Sequence, residues 1–470
     1  MERLSGLDAF FLYMETEAVH MHVALTAVLD PSGMPGGYSP GKIQTRIAER
    51  IHLVPIFTKK LVVPPLQIHH PYWVDDQNFR IVNHVRHVTL PKPGGPHELG
   101  RLTGDIASAP LDRRRPLWEL FVIDGLYDGN IALVAKVHHS CLDGVAGVDT
   151  IMNFFDLERD APATEPPDTE PEPRPTEREV VADAIRQRLH EFRNFVPLAR
   201  KTARNVAAVR RSRKVEHEAP GGTPLAAPQA LFNGSLTPSR NVAYSQVSLD
   251  EVKKVKGAFG CTVNDIVLAI CAGALRRYLL AKDELPERPL LATCPTSVRG
   301  DDEHDEHNNK LSGFYTSLCT DIEDTTERVR AIQTVTDAAK REHEMVGGSL
   351  LSEWADVADP TLFNAGMWLY ARSKLADHHR PIHNLMISSI PGPTFPIYMA
   401  GAEMVRAYPM GPVLEGSGLN ITVMSYVDHI DFGFMVCDDL LPDVWVLAAQ
   451  IPSAFEEVKE AADGLTPFAD

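Results

Sequence analysis

The amino-acid sequence predicts a mixed α/β protein made of two domains, and three observations support this fold class. The chain has 470 residues, which exceeds the size at which one hydrophobic core usually stops growing. Short β-branched apolar runs mix with helical patterns in both halves. Between the halves lies a segment rich in proline and acidic residues, which is typical of a linker. We therefore expect two mixed sheets, each flanked by helices and facing the other.

The first domain, residues 1–160, combines strands and helices in irregular order. Its helical patterns run from Gly41 to Ile51 and from Gly144 to Leu157. The turn Tyr127-Asp128-Gly129-Asn130 joins two apolar runs, and this pattern predicts a β-hairpin. The predicted strands are Val19 to Leu29, Trp118 to Val122 and Ile131 to Val137.

Residues 161–225 are expected to form a linker followed by a basic amphipathic helix. The helical pattern covers 180–214, and Pro197 inside it predicts two helices or a kink. Two interpretations of this helix stay open. Its apolar face either enters a membrane or lipid-droplet surface, as basic amphipathic helices do, or packs across the domain boundary with its arginines in solvent.

The second domain, residues 226–470, contains the clearest helical pattern of the chain. This pattern covers Thr262 to Leu280 and keeps its apolar residues at helical spacing. Leu290 to Pro295 and Ile421 to Val427 have the composition of strands. No repeat of fixed period is visible, but the two halves have similar element content, which is consistent with two related domains.

Composition argues against several classes of protein. The sequence has 46 Lys and Arg against 63 Asp and Glu, a formal charge of −17, which argues against nucleic acid as a partner. The six cysteines are dispersed and lack CxxC spacing, so we expect reduced thiols. Asp8 precedes any long apolar run, and no stretch of about 18 apolar residues occurs, so we expect neither a secretory signal nor a membrane-spanning helix. These features predict a cytoplasmic protein.

The stretch His138-His139-Ser140-Cys141-Leu142-Asp143-Gly144 is the strongest candidate for chemistry. It places two imidazoles and a carboxylate in the turn between a predicted strand and a helical pattern. A neutral imidazole has a pKa of about 6.5, so near neutral pH it can accept a proton from a hydroxyl group that becomes a nucleophile. Such a general base typically raises a rate by about 10² to 10⁴.

Three other interpretations of this stretch stay open from the residues alone. His139 and Asp143 have the spacing of two metal ligands on a helix, and the acidic run from Asp301 to His307 is a second metal candidate, although neither supplies a complete ligand set. Cys141 is a candidate nucleophile beside a histidine. The histidines and the aspartate also suit a structural role, in which they satisfy backbone groups of a buried turn.

Further motifs carry a resemblance to a known family. They follow in the order Leu4-Ser5-Gly6-Leu7-Asp8, Met21-His22-Val23, Pro116-Leu117-Trp118-Glu119, the two-histidine box, Asn264-Asp265, Ser297-Val298-Arg299 and Ser388-Ser389-Ile390-Pro391-Gly392-Pro393. In this order they resemble the bacterial wax ester synthase/acyl-CoA:diacylglycerol acyltransferase family over almost the whole sequence. The resemblance implies a condensation-domain-like fold of two chloramphenicol-acetyltransferase-like mixed-sheet domains, with the active site at their interface.

The resemblance also implies the chemistry. It makes His139 the general base, with His138 in a supporting role, and the substrates acyl-CoA and a diacylglycerol or long-chain alcohol, with no cofactor and no acyl-enzyme. Asp143, followed by Gly144, is then structural and pairs with Arg299 of the second domain. Because the acceptor is hydrophobic, contact with the inner face of a membrane or with lipid inclusions is expected.

The remaining motif residues have supporting roles in this interpretation. Pro116, Leu117 and Trp118 are expected to pack around the site. Asn264 and Asp265 open a helix, where they cap its N-terminus, lie near the catalytic tunnel, or do both. The oxyanion donor is Asn264, Ser388 or a backbone N–H.

Two departures from the family pattern concern the second domain. The chain has Ser388-Ser389-Ile390-Pro391-Gly392-Pro393 where the family has Ser-Asn-Val-Pro-Gly-Pro, and Pro295-Thr296-Ser297 where it has Pro-Val-Ser. Neither changes the base, but both leave the acceptor preference open. Three rival functions also stay open: a same-fold acyltransferase with a carrier-protein donor, a non-catalytic lipid-binding protein and a metal hydrolase.

Overall fold

Two six-stranded sheets form the two lobes of the protein in a computed structural model, which describes residues 2–142, 151–162, 175–215, 226–297, 311–346, 350–357 and 359–465. The strands are β1 (Glu2–Arg3), β2 (His22–Asp30), β3 (Lys59–Val62), β4 (Tyr72–Asp75), β5 (Val85–Thr89), β6 (Trp118–Asp124), β7 (Ile131–His138), β8 (Arg240–Ser248), β9 (Leu291–Ser297), β10 (Leu311–Ser317), β11 (Leu385–Pro391), β12 (Tyr398–Met399), β13 (Ala402–Met410), β14 (Leu419–Tyr426) and β15 (His429–Cys437).

Helices cover the sheets and connect the lobes. Within the described residues they are α1 (Gly6–Met14), α2 (Pro40–Arg50), α3 (Pro96–Ser108), α4 (Glu177–Val215), α5 (Leu249–Phe259), α6 (Val263–Leu280), α7 (Thr325–Val346), α8 (Leu350–Val357), α9 (Pro360–Arg372), α10 (Val444–Ala448) and α11 (Gln450–Asp463).

Both large sheets are mixed, which confirms the predicted fold class. The first has the strand order β12-β13-β2-β7-β6-β5, and the second has the order β10-β9-β11-β14-β15-β8. Strand β5 runs parallel to β6, and β11 runs parallel to both β9 and β14, whereas the other neighbours are antiparallel. A separate three-stranded sheet, β1-β4-β3, belongs to the N-terminal part of the chain.

One chain crossing ties the lobes together. Strands β12 and β13 come late in the sequence, yet β13 pairs with β2 and extends the first sheet. The carboxylate of Asp431 on β15 accepts a hydrogen bond from the backbone N–H of Ala407 on β13 at 2.7 Å, so the crossing strand is also held by the second sheet. Strands from the C-terminal part of the chain therefore belong to the first sheet, so the sheets do not follow the expected domain boundaries at residues 160 and 226. These boundaries stay a prediction.

Most of the predicted elements are confirmed within a few residues. The hairpin of β6 and β7 is antiparallel and pairs Trp118 with Val137. Helix α6 begins with a capping box, in which Thr262 Oγ1 and Asp265 Oδ2 satisfy each other's backbone N–H groups. Most of the helical pattern from Gly144 to Leu157 lies outside the described residues.

Helix α4 continues through Pro197, so the predicted division into two helices is wrong, while the alternative of a kink stays a prediction. Val180 and Leu198 are buried on its inner side. Lys201 Nζ lies 2.5 Å from Glu353 Oε1 on α8. Tyr72 of the first lobe donates a hydrogen bond to Asp183 at 2.8 Å. Part of the apolar side of α4 therefore lies inside the protein, although Ile185 on the same helix is 52 % exposed. The buried residues favour the interpretation that α4 packs across the domain boundary.

Helix α3 is the closest contact between the first lobe and β8 of the second. A Cβ atom added at Gly100 would lie 2.6 Å from Val242 O, and one added at Gly104 would lie 2.6 Å from Arg240 O. Glycine is needed at these two positions because backbone, which cannot rotate away, occupies the space of a side chain. The two glycines let the helix lie directly on the strand.

Thiols and helix length agree with the composition. The six cysteines are free. Among the described residues, no single helix is both long enough and apolar enough to cross a bilayer; Leu249–Phe259 and Val263–Leu280 meet these criteria only as a pair, bent by 101°.

We predict that Gly104→Ala lowers stability by about 1–3 kcal/mol, because the new methyl group meets the backbone of β8. Thermal unfolding monitored by circular dichroism measures the effect. Gly257→Ala is the matched control, since a methyl group on this helical glycine meets no atom within 4 Å and is expected to be neutral or stabilising. Equal melting temperatures for wild type and Gly104→Ala would show that the contact between the lobes is not this close.

Candidate active site

Two sequence motifs hold the histidine turn by backbone hydrogen bonds. His138 is the last residue of β7, and residues His139–Cys141 form one turn of 3₁₀-helix. The N–H of His138 donates to Leu117 O at 2.9 Å, and the N–H of His139 donates to Met21 O at 2.8 Å. The Pro-Leu-Trp and Met-His motifs therefore fix the turn through main-chain atoms, whatever the side-chain chemistry.

The ring of His139 is half-buried and stacked. Its centroid lies 4.1 Å from that of Phe11 on α1, with 28° between the ring planes. Nδ1 is buried and hydrogen-bonds to no other described residue. Burial lowers the pKa of His139 from 6.5 to about 4; its own backbone carbonyl opposes this shift, and nearby His138 adds to it. The imidazole is therefore neutral at neutral pH. Because Nδ1 is the buried nitrogen, Nε2 is the ring nitrogen that remains for a substrate proton.

His138 has a different environment. Its ring is buried, and Nδ1 accepts a hydrogen bond from Ser140 N at 3.1 Å. The Oγ atom of Ser140 lies 2.7 Å from the same nitrogen. Since Nδ1 is an acceptor, a hydrogen is assigned to Nε2, which lies 3.3 Å from Glu15 Oε1. This pairing fixes His138 as a support of the turn.

Glu15 is the anionic centre of the site. Its Oε2 accepts from Arg113 Nη2 at 2.5 Å, and its Oε1 accepts from the N–H of Met21 at 3.1 Å. Burial alone would raise the pKa of this carboxyl group, but His138 and Arg113 together hold it well below its usual range. Glu15 is therefore ionised. It contacts Met21, whose carbonyl group holds the histidine turn, and His138, which begins that turn.

A second buried layer lies behind the histidine turn. His22, paired with His138 across β2 and β7, has its Nε2 2.9 Å from Ala107 O. Lys136 donates to Ile106 O and to Ala109 O, both at 3.1 Å, and its ammonium group lies 2.8 Å from Glu119. These groups satisfy carbonyls at the C-terminal end of α3, where positive charge and donors are favourable.

Helix α1 places Phe11 against the turn. Ser5 is the N-cap residue of this helix, and its hydroxyl group accepts from Asp8 N at 3.1 Å while it donates to Asp8 Oδ2 at 2.6 Å. The N–H of Gly6 donates to Asp356 Oδ1 of α8 at 2.8 Å. The N-terminal motif thus starts α1 and anchors it to the second half of the chain.

The Pro-Leu-Trp motif forms packing at the edge of the site. Trp118 is buried, stacks on Phe57 and His84, and donates from Nε1 to Phe57 O at 2.8 Å. A cavity of about 40 Å³ lies on this side of the sheet, and apart from Glu119 its lining residues are apolar. Its walls include Trp118, Val137, Leu25, Phe57, Phe154 and Met399.

A second cavity, of about 80 Å³, lies between the lobes and contains polar and apolar groups. It is lined by Leu12, Tyr13 and Arg113 of the first lobe and by Pro360 and Asn364 of α9. Arg113 is the residue that pairs with Glu15. This cavity therefore reaches the charged support of the histidine turn.

The structure weighs against one of the alternative interpretations, the cysteine nucleophile, and leaves the two metal candidates untested. Cys141 is buried in the core of the first lobe, and burial raises the pKa of its thiol far above its usual value, so the thiolate nucleophile is disfavoured. Among the residues that the structure describes, no group of three or more His, Cys, Asp or Glu side chains is arranged to hold a metal ion. Asp143 and the acidic run from Asp301 to His307 lie outside those residues.

The second-domain motif residues are only partly placed. Asp265 is buried at the start of α6, where it completes the capping box, and its Oδ1 has no hydrogen-bond partner in the described part of the chain. Asn264 is half-buried beside it, and Ser388 lies on β11. No hydrogen bond among the described residues joins Asn264, Asp265 or Ser388 to the histidine turn. Gly144 and Arg299, like Asp143, lie outside the described residues, so the Asp143–Arg299 pair stays a prediction.

Sequence reasoning missed Glu15, Arg113 and Phe11. Glu15 lies only six residues before the motif Met21-His22-Val23, and this proximity was the one signal available in the sequence. Arg113 belongs to the run Arg113-Arg114-Arg115, of which Arg114 is 89 % exposed, so the local pattern did not single out the residue that pairs with Glu15. Phe11 reads as an ordinary apolar position of an amphipathic helix.

Comparison with known proteins agrees with the motifs. Residues 4–267 match the family model described as the wax ester synthase/diacylglycerol acyltransferase catalytic domain, and residues 307–459 match the C-terminal domain of the same family. One Mycobacterium tuberculosis relative, named provisionally as a diacylglycerol O-acyltransferase, is 40 % identical over 466 residues, which cover 98 % of this chain and 91 % of that protein. Another of the same provisional name is 36 % identical over 465 residues, with coverage of 98 % and 97 %.

Solved structures show the same fold. The wax ester synthase/diacylglycerol acyltransferase of Marinobacter aquaeolei VT8 superposes with a TM-score of 0.69 at 26 % identity, covering 98 % of this chain and 100 % of that one. The starter condensation domain of rhizomide synthetase shares the fold alone, with a TM-score of 0.57 at 10 % identity and coverage of 99 % and 95 %. The chain belongs to the wax ester synthase/diacylglycerol acyltransferase family and is an acyltransferase.

Proposed function

We propose that this protein transfers a fatty acyl group from acyl-CoA to the hydroxyl group of a diacylglycerol or a long-chain alcohol, with His139 as the general base. The observation that carries this proposal is the neutral, half-buried His139 ring, stacked on Phe11 and held by the turn that the Pro-Leu-Trp and Met-His motifs grip. Family membership supplies the acyltransferase reaction. The imidazole ring supplies the proton acceptor that this reaction needs beside the hydroxyl group of the alcohol.

The proposed reaction is a direct transfer. The acceptor oxygen attacks the thioester carbonyl carbon while His139 Nε2 takes the hydroxyl proton. The carbon–sulfur bond then breaks, and the imidazolium returns the proton to the departing CoA sulfur, which leaves as the thiol. The ring ends neutral, so the cycle needs no cofactor and no acyl-enzyme. The buried, protonated thiol of Cys141 is consistent with this route, because a covalent step would need a thiolate.

The low pKa of His139 has a cost and an advantage. A ring with a pKa of about 4 is a weaker base than free imidazole, but it is unprotonated over the whole neutral range. Its half-buried position also limits the water around the acyl transfer to the hydroxyl group. The imidazolium exists only between removal of the hydroxyl proton and departure of the thiolate. The apolar cavity beside Trp118 and Val137 supports a hydrocarbon substrate.

The first prediction concerns the base itself. In His139→Ala we expect CoA release from palmitoyl-CoA, with either hexadecanol or a diacylglycerol as acceptor, to fall by about 10² to 10⁴, since the hydroxyl proton then has no acceptor. Thiol titration measures the release, and thin-layer chromatography identifies the ester. His87→Ala is the matched control, because His87 is an exposed histidine that pairs only with Asp124 on an edge strand.

Three outcomes would contradict the proposal or one of its parts. Wild-type turnover in His139→Ala would remove the histidine from the chemistry. Absence of ester from wild type with acyl-CoA, together with ester formation from a palmitoyl carrier protein, would replace the donor and keep the base. Covalent labelling of the wild type by palmitoyl-CoA alone, seen by mass spectrometry of the intact chain, would replace direct transfer by an acyl-enzyme.

The second prediction is the pH dependence. Because the base acts when unprotonated, kcat/KM should fall as pH drops through about 4, and not through 6.5.

The stability of the folded chain should also fall as pH drops. The unfolded chain protonates this histidine below about pH 6.5, whereas the folded chain does not until about pH 4, so the contribution of His139 to stability declines over this window as pH falls.

Initial rates separate these effects from unfolding. Rates are taken between about pH 3.5 and pH 8, with circular dichroism recorded at each pH to show that the chain is folded. A midpoint near 6.5 in folded protein would mean that the free-enzyme base is a solvated imidazole, which contradicts the assignment to the half-buried ring.

The third prediction concerns Glu15, a positioning residue. Glu15→Gln removes the charge that pairs with Arg113 and His138 while it keeps an oxygen for the N–H of Met21. We expect kcat to fall by about tenfold and KM for acyl-CoA to change little, because the ring of His139 is displaced and the substrate contacts are not. Glu15→Ala, which also removes the acceptor for Met21, should be more severe.

Glu17→Gln, which alters an exposed carboxylate two residues away, is the control for this series. The measurement is a full kcat and KM determination at a fixed pH for the three variants. Parallel losses of kcat in Glu15→Gln and Glu17→Gln, or a loss that is confined to KM, would contradict the positioning role.

A further inference from the structure

Helix α9 has an apolar face on the outside of the protein. Leu362 is 75 % exposed, Leu369 is 58 % exposed and Trp368 is 54 % exposed. With Ala365, these residues form one side of the helix, which we name the outer face. The opposite side contains Phe363, Met367 and Tyr370, so α9 has apolar residues on two sides although Pro360 is its only buried residue. Large apolar side chains grouped on an exposed surface mark an interaction site.

We propose that the outer face of α9 docks the protein on an anionic phospholipid surface. The inference rests on the proposed function for its purpose, since an insoluble acceptor has to be taken from a lipid phase. The docking itself needs no catalysis. The inference gives this role to α9 rather than to α4, because Val180 and Leu198 of α4 are buried inside the protein and Ile185 is its exposed large apolar residue among the described side chains.

The charge around the outer face favours a lipid headgroup over another apolar protein surface. Arg372 and Lys374 are exposed at the C-terminal end of α9, and Arg380 is exposed shortly after it. None of the three pairs with a carboxylate within the described residues. The guanidinium carbon of Arg372 lies 5.4 Å from the ring centroid of Trp368, so the cation and the indole form one surface. Tryptophan beside arginine is typical of a membrane interface.

Carboxylates near the helix are already engaged. Asp359 at its N-terminus lies 2.5 Å from Arg188 Nη2 of α4. Asp377 accepts a hydrogen bond from Ser235 N at 2.7 Å. Between residues 360 and 380, Arg372, Lys374 and Arg380 outnumber Asp377, so this segment carries a net positive charge although the whole chain carries a formal charge of −17. An anionic membrane would repel most of this protein and attract this end of α9.

A second exposed apolar element belongs to the same side of the molecule. Val63 and Gln67 line the 80 Å³ cavity together with Pro360 and Asn364 of α9. Between them, Leu66 is 91 % exposed and has a φ of 57°, a conformation that a branched side chain rarely adopts. The fold thus holds a leucine in solvent beside α9, where a lipid surface would cover it.

The inner side of α9 leads to the catalytic histidine. The ring of Phe363 lies 4.9 Å from that of Phe10, which lies 6.4 Å from Phe11, and Phe11 stacks on His139 at 4.1 Å. The cavity between α9 and α1 reaches Arg113. An acceptor that leaves a lipid layer at α9 therefore meets an apolar, aromatic route of a few side chains to the proposed base.

Vesicle flotation tests the proposal with the full-length chain. The probes are vesicles of phosphatidylcholine alone and of phosphatidylcholine with roughly one third phosphatidylglycerol. Wild type is expected to float with the anionic vesicles and less with the neutral ones. The combined variant Leu362→Ser, Trp368→Ser, Leu369→Ser should partition at least about tenfold more weakly, because the inserted apolar area is lost. Arg372→Glu with Lys374→Glu should remove the preference for anionic vesicles.

Two controls keep the test independent of folding and of activity. Tyr127→Ser with Leu280→Ser changes two exposed apolar residues elsewhere and should float as wild type does. His139→Ala should also float as wild type does, so loss of catalysis and loss of docking are distinguishable. Circular dichroism confirms that each variant is folded.

Three results would overturn the proposal. Wild type would fail to float with either vesicle, or the triple serine variant would float like wild type. Alternatively, sedimentation velocity would show a dimer of wild type that the serine variant loses, in which case the outer face binds a second copy of this chain.

Discussion

The site depends on one buried carboxylate, that of Glu15. It accepts hydrogen bonds from Arg113 and from the backbone of Met21, and it lies against Nε2 of His138. A carboxylate with this little solvent is stable only because cationic and N–H partners surround it, and removal of a partner leaves a charge that burial penalises. The same ion therefore contacts Met21, which directly precedes β2, and His138, the last residue of β7. The proposed general base, His139, is the next residue of the chain.

The two adjacent histidines illustrate how environment assigns different roles to the same side chain. His138 is fully enclosed, with Ser140 on one nitrogen and Glu15 beside the other, so its ring is committed to structure. Among the described residues, the ring of His139 stacks on Phe11 and its Nδ1 has no hydrogen-bond partner. Desolvation keeps that ring neutral. One residue of offset along the chain thus separates a structural histidine from the proposed base.

The sequence predicted those parts of the fold that depend on interactions between residues close together in the chain. The Asp128-Gly129 turn predicted the hairpin, and the apolar spacing predicted α6, because both depend on residues close together in the chain. The Arg113–Glu15 pair joins residues 98 positions apart, and the pairing of β13 with β2 joins segments from opposite ends of the chain. Neither partnership leaves a mark in the local pattern. The family resemblance supplied the base, but not the carboxylate that holds it or the exposed face of α9.

The protonation state of His139 is the most direct test of this account. Chains labelled with ¹⁵N-histidine, compared with His139→Gln to assign the signal, report both ring nitrogens by long-range ¹H–¹⁵N correlation. The account predicts a neutral ring at about pH 7, with hydrogen on Nδ1 and an unprotonated Nε2, and no titration until the pH approaches 4. An imidazolium at neutral pH, or hydrogen on Nε2, would contradict it, because neither form can take a proton from an alcohol at that nitrogen.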